Sequence, residues 1–214
     1  MRDLRPAGER FVTRRDGIET WHSFSHGDHY DADNTSFGAV IAINEERIPV
    51  SHGYAPHHHE DVEIVTWVLE GTLSHEDTTG QGGHVRPGAA QRLSAGSGVE
   101  HSENNAHPEE PLRFVQMMLR STNDGEPEYA VDVVPDTPGL HLSVPVHAPA
   151  DLLVARPIDT LLTIPEAERV LIHVTHGIVV VDGESLTVGD ELRLTHEPSA
   201  RLGGGGEALV WLLR

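Results

Sequence analysis

The sequence predicts an all-β fold built from two copies of a small β-barrel unit. Short β-branched and apolar runs recur along the 214 residues, separated by Gly, Asp and Asn. No long segment repeats apolar residues at helical spacing. The second half also repeats a strand–Gly–strand pattern found in the first.

Taken in order, the strand-like runs are FGAVIAIN (37–44), VEIVTWVLEGTLSHED (62–77), LRFVQMMLR (112–120), RVLIHVTHGIVVVDG (169–183) and ALVWLLR (208–214). Only IDTLLTIPEAERV (158–170) has room for a short helix. Two polar, Pro-containing stretches interrupt the pattern, NNAHPEEP (104–111) and STNDGEPEYAVDVVPDTPGL (121–140). The second is longer and separates two apolar regions, so the expected boundary falls near residue 135, between domains 1–135 and 136–214. The repeat aligns VLEGTLSHED (68–77) with VTHGIVVVDG (174–183), Gly71 matching Gly177. It also aligns RPGAAQRL (86–93) with TVGDELRL (187–194), Gly88 matching Gly189.

Composition narrows the function. The chain carries 34 Asp plus Glu against 15 Lys plus Arg, a formal charge of −19. Such an excess opposes direct binding to nucleic acid, which requires phosphate neutralisation, and opposes docking on an anionic membrane. With no cysteine, disulfides, thiolate catalysis and Cys-ligated metals are excluded, and any metal must be held by nitrogen and oxygen. MRDLRPAGERF has no apolar core of a secretory signal, and no apolar stretch nears the roughly 20 residues of a bilayer span. A soluble cytoplasmic protein is expected.

The segment PHHHEDVEIVTWVLEG (56–71) opens on three consecutive histidines. On a strand, side chains alternate faces, so His57 and His59 point one way and His58 the other. GVEHSENN places His101 and Glu103 at the same i, i+2 spacing. Two such pairs on neighbouring strands aim three imidazoles and one carboxylate at one point, a set that suits a divalent iron, nickel, copper, manganese or zinc ion. The chain has 16 histidines, so an H-x-H pair also arises by chance, and His75, His84 and His107 are expected at the surface or in turns. Core packing explains the Trp21, His22 and Phe24 cluster as well as a site does. A Ser-His-Asp triad could be assembled only by arbitrary choice among polar residues. The Gly run 203–206 lacks a following Lys-Ser/Thr and is expected to be a flexible turn, not a phosphate cradle.

The blocks ETWHSFSH (19–26), SFGAVIAINEERI (36–48), PHHHEDVEIVTWVLEGTLSHEDTTG (56–80) and RPGAAQRLSAGSGVEHSE (86–103) resemble the pirin family of the cupin superfamily. The resemblance implies a bicupin, two jelly-roll-like β-barrel domains in tandem, with one metal, usually iron(II), in the N-terminal barrel. Zn, Mn, Ni, Cu and Co are the other ions such a site accepts. Position by position, the family's ligands fall on His57, His59, His101 and Glu103, the residues that strand parity selects. Glu63 stands where many other cupins have a ligand; otherwise it is expected to orient one by a hydrogen bond. In the second half, the positions matching His57 and His59 hold Thr163 and Pro165, and His173 and His176 face opposite sides of a strand. One metal per chain is therefore expected, with a degenerate C-terminal domain.

Some bacterial members of this family resemble quercetinases, which implies a flavonol and dioxygen as substrates, with Glu103 as general base. The competing expectation is a non-enzymatic, metal-dependent or redox-sensing regulator acting through a protein partner. A third is another cupin reaction on a carbonyl or phenolic substrate. Two departures bear on substrate class. His58 and Glu60 replace the family's Pro and basic residue, and Arg92 stands where an aromatic often follows Gln91.

Overall fold

The computed structural model describes residues 1–214 and is built almost wholly of antiparallel strands. Its one helical element is the 3-10 turn Ala7–Glu9. The segment 158–170 forms no helix. It turns at Asp159, whose φ is +52°, and runs into the two-residue strand Leu162–Thr163. Pro165 has no N–H to continue a helical ladder, and the Ile164 N–H donates instead to Ala200 O. No helix is long and apolar enough to cross a membrane.

The chain forms two compact units. One comprises residues 11–133 and 146–148, the other residues 1–10, 134–145 and 149–214. The main division falls between Val133 and Val134, and two short pieces, residues 1–10 and 146–148, group with the unit on the other side of it. Arg2–Arg5 pairs with Glu191–Thr195 in the second unit, and the His147 N–H donates to Glu63 Oε2 in the first. Part of the expected linker is itself an edge strand, Glu128–Val133, paired with Ala89–Ser94.

The first unit has a seven-stranded and a four-stranded sheet. The larger runs in the order Glu128–Val133, Ala89–Ser94, Val62–Glu70, Leu112–Arg120, Val40–Ile48, Ile18–His22, Phe11–Arg15. The smaller runs Gly53–His59, Val99–Asn105, Leu73–Asp77, Gly82–Val85. The second unit likewise has a six-stranded and a four-stranded sheet around buried Ile172, Val174, Val179, Leu192 and Val210. The repeat-matched Gly71 and Gly177 both have positive φ, +80° and +64°. A Cβ there would stand 2.7 Å from Pro111 O and 2.6 Å from Gly205 O, so the same turn recurs in both units for the same steric reason. The Gly run is half strand and half turn, with Gly205 and Gly206 forming the bend before Glu207–Leu213. Arg201–Gly204 is a strand paired with Ile178–Val181, and a Cβ on Gly204 would collide with Ile178 O.

On the larger sheet of the first unit, one row of cross-strand neighbours is polar: His22, Asn44, Gln116, Thr66 and Gln91. All five are buried. Apolar layers flank the row, Ile64 and Leu93 on one side, Val68 and Phe114 on the other. Polar groups in such a place cost free energy unless hydrogen-bonded; His22 bonds Asn44 and Thr13, Thr66 accepts from Gln116, and Glu103 of the smaller sheet accepts from Gln116 and Gln91.

Candidate metal centre

Val99–Asn105 lies between Gly53–His59 and Leu73–Asp77 in the smaller sheet. Its register sets His101 opposite His57 on one side and Asp77 on the other. Along Gly53–His59, His57 and His59 are half-buried while His58 is exposed, as the two-residue period dictates. The His57, His59 and His101 rings meet at centroid distances of 4.9, 4.4 and 5.0 Å. One ligand atom from each lies within 4.8 Å of the others. Glu103 forms a second such group, with His75 and His101. The four sequence-selected residues thus occupy two overlapping trios that share His101.

The donor atoms suit a cation. His57 Nδ1 donates to Ala55 O at 2.9 Å, which leaves the Nε2 lone pair free to ligate. His101 Nε2 is buried without a hydrogen-bond partner, a costly state for a ring nitrogen and one that a metal ion relieves. Burial, then the neighbouring imidazoles, lowers the pKa of His59 to about 4 and of His101 to about 3. Both rings are therefore neutral at pH 7, the form that binds metals.

Glu103 is buried, and each of its oxygens accepts an amide hydrogen bond. Gln91 Nε2 donates to Oε1 at 3.1 Å and Gln116 Nε2 to Oε2 at 2.7 Å. Burial raises the Glu103 pKa, and these bonds oppose the rise. His75 is no surface residue. It is fully buried, with Nδ1 3.4 Å from His101 Nδ1 and Nε2 3.3 Å from Asp77 Oδ2. Its ring stacks on Tyr129 at 4.7 Å, and the Tyr129 hydroxyl donates to Gln91 Oε1 at 3.1 Å. Since both His75 nitrogens have partners, its place is behind His101, orienting that ring. Sequence reading missed Gln91, Gln116 and His75. The signal was available for the first two, as single polar residues at inward positions of otherwise apolar runs.

Glu63 is in neither trio and bonds none of the four residues. It lies on the larger sheet, where Oε1 accepts from Ser94 Oγ at 2.6 Å and Ser121 Oγ at 2.7 Å, and Oε2 from the His147 N–H. Arg92 has the opposite parity to Gln91 and binds Glu128, so it does not enter the centre. His58 and Glu60 are exposed neighbours 3.5 Å apart. His84 is exposed, and His107 Nδ1 accepts from the Glu110 N–H. Phe24 packs in the core. In the second unit, His173 is buried and His176 exposed.

The family model described as Pirin matches residues 6–119. A Mycobacterium tuberculosis protein is 36% identical over 98% of this chain and 93% of its own. A protein of Escherichia coli K12 named quercetin 2,3-dioxygenase is 30% identical over 98% of this chain and 96% of its own. Among solved structures, the bacterial pirin YhhW of Escherichia coli in complex with nickel(II) superposes with a TM-score of 0.92. It is 30% identical, with 100% of this chain and 99% of that one covered.

Proposed function

The chain belongs to the pirin family, and from that premise we propose that it is a metal-dependent dioxygenase of quercetinase type, opening a flavonol ring with dioxygen. One divalent ion is held by His57, His59, His101 and Glu103. The convergence of three imidazole donor atoms within 4.8 Å carries this reading. We assign iron(II); a nitrogen and oxygen donor set also accepts the nickel(II) found in the Escherichia coli relative.

When bound, the ion supplies a Lewis acid for the flavonol 3-hydroxyl and dioxygen. Glu103 takes the proton of that hydroxyl at Oε1, the oxygen with the longer amide bond. Gln116 holds the other oxygen and so fixes the carboxylate plane. His75 keeps the His101 ring turned with Nε2 toward the other imidazoles. The apolar layers at Ile64 and Phe114 keep water from the reacting groups.

The test pairs elemental analysis of the purified protein with flavonol depletion under air and measurement of carbon monoxide release. About one metal per chain with flavonol consumption is expected. Metal content near zero that added iron(II) does not restore sinks the site. Normal metal content with every flavonol inert sinks the dioxygenase and favours a regulator acting through a protein partner.

A further inference from the structure

Beside the metal centre, within the same unit, lies a cavity of about 440 Å³ whose lining includes Thr20, His22, His26, Asn44, Glu46 and Tyr54. That volume lies in the range of small-molecule sites, about 300–1,000 Å³. It borders the centre through Tyr54, whose ring stands edge-on to His57 at 6.2 Å.

One wall carries a buried carboxyl group. Glu46 is 4% exposed, and the Thr20 and Tyr54 hydroxyls both donate to its Oε2 at 2.7 Å. Oε1 accepts no hydrogen bond from the protein and is left to the cavity. A buried carboxyl with one oxygen unserved is costly unless a ligand or solvent donates to it. Burial, with help from the charge of Glu103, pushes its pKa up to about 7 against the two hydroxyl bonds.

Another wall is aromatic. The buried His22 ring stacks on the exposed His26 ring at 4.8 Å and 11°, so the pair presents a ligand with the outer face of His26. Both nitrogens of His22 are already engaged, Nδ1 with Asn44 Oδ1 and Nε2 with Thr13 Oγ1, each at 2.9 Å. That ring is therefore fixed in place and backs the His26 ring that the ligand meets. An acceptor beside a flat π surface fits a planar ring bearing a hydroxyl donor, whereas an anionic ligand would meet the Glu46 carboxyl.

We propose that this cavity is a binding subsite for a hydroxylated aromatic ring, whose hydroxyl donates to Glu46 Oε1 while the ring stacks on His26. It rests on the dioxygenase reading only in taking that ring to be part of the substrate.

The test titrates metal-loaded protein calorimetrically at pH 8, above the Glu46 pKa of about 7, with resorcinol, whose two hydroxyls are too far apart to chelate a metal. 1,3-Dimethoxybenzene, of the same framework without a donor, is the control. Resorcinol is expected to bind about tenfold more tightly than the control. Glu46→Gln should abolish that preference, because Thr20 and Tyr54 hold the amide oxygen and turn the NH₂ into the cavity. His26→Ala, at an exposed position, should weaken both probes together. Equal affinity for the two probes in the wild type, a preference that survives Glu46→Gln, or unchanged binding in His26→Ala overturns the subsite. Flavonol turnover by the same preparations separates the two readings. A resorcinol preference without turnover keeps the subsite and removes the dioxygenase, and turnover without the preference does the reverse.

Discussion

The Nδ1 atoms of His75 and His101 lie 3.4 Å apart, and Asp77 Oδ2 stands 3.3 Å from the other nitrogen of His75. Two rings facing through nitrogen can share only one proton, so one donates and one accepts. With Asp77 accepting from His75 Nε2, the His75 Nδ1 is an acceptor and His101 carries its proton on Nδ1. The lone pair of His101 then sits on Nε2, the buried atom without a partner. His75→Gln should weaken metal binding about 10- to 100-fold while leaving the fold in place. Chelator competition measures this, and unchanged affinity would show that His101 needs no such support.

Strand parity gives a sharper contrast at the three adjacent histidines. His59→Ala should strip the metal, whereas His58→Ala, at a side chain 54% exposed, should leave metal content unchanged. Equal loss from both would contradict the alternation argument.

Glu63 separates fold from site. It accepts three hydrogen bonds while buried, so Glu63→Gln should cost about 2 kcal/mol of stability with metal stoichiometry intact. Denaturant unfolding and elemental analysis check the two halves; loss of metal at unchanged stability would return Glu63 to the centre.

The depressed histidines predict a pH trend for the metal-free protein. His59 and His101 fall from 6.5 to about 4 and about 3, so below pH 6.5 the unfolded chain binds protons that the folded chain refuses. Stability is therefore full above 6.5 and is lost as pH falls toward those values. Thermal melts of stripped protein at pH 7.5, 6 and 5 should descend in that order, and melting temperatures that do not fall with pH would contradict it.

Glu46 runs in the opposite sense. Its pKa rises from 4.5 to about 7, so its neutral form is favoured in the fold and stability falls as pH climbs through that window. Thr20 faces it from one strand, Tyr54 from another and Glu103 from a third. Glu46→Gln should raise the melting temperature more at pH 8 than at pH 5. An equal change at both would mean that Glu46 does not titrate there.

Much of this site was legible in the sequence because it rests on local geometry. The i, i+2 spacings of His57 with His59 and His101 with Glu103 follow from the strand period. The two Gly turns at 71 and 177 follow from a backbone that tolerates no Cβ. His75 was misplaced because its neighbours in sequence, Ser74 and Glu76, are polar and suggest a surface strand. In the fold its ring is stacked on Tyr129, 54 residues away on an edge strand that reads as part of a linker, and packs against His101.

The sequence by itself determined that the chain is all-β and repeated, that it has no cysteine ligands, and which side chains share a face of each strand. Alternation is a property of the extended backbone and needs no partner strand. Only the tertiary structure decided which strands are neighbours. That choice set Gln91 and Gln116 on the two oxygens of Glu103, held Glu63 on the larger sheet away from the centre, and closed a cavity over Glu46. Cross-strand register is fixed by burial summed over many residues far apart in the chain, and no local spacing records it.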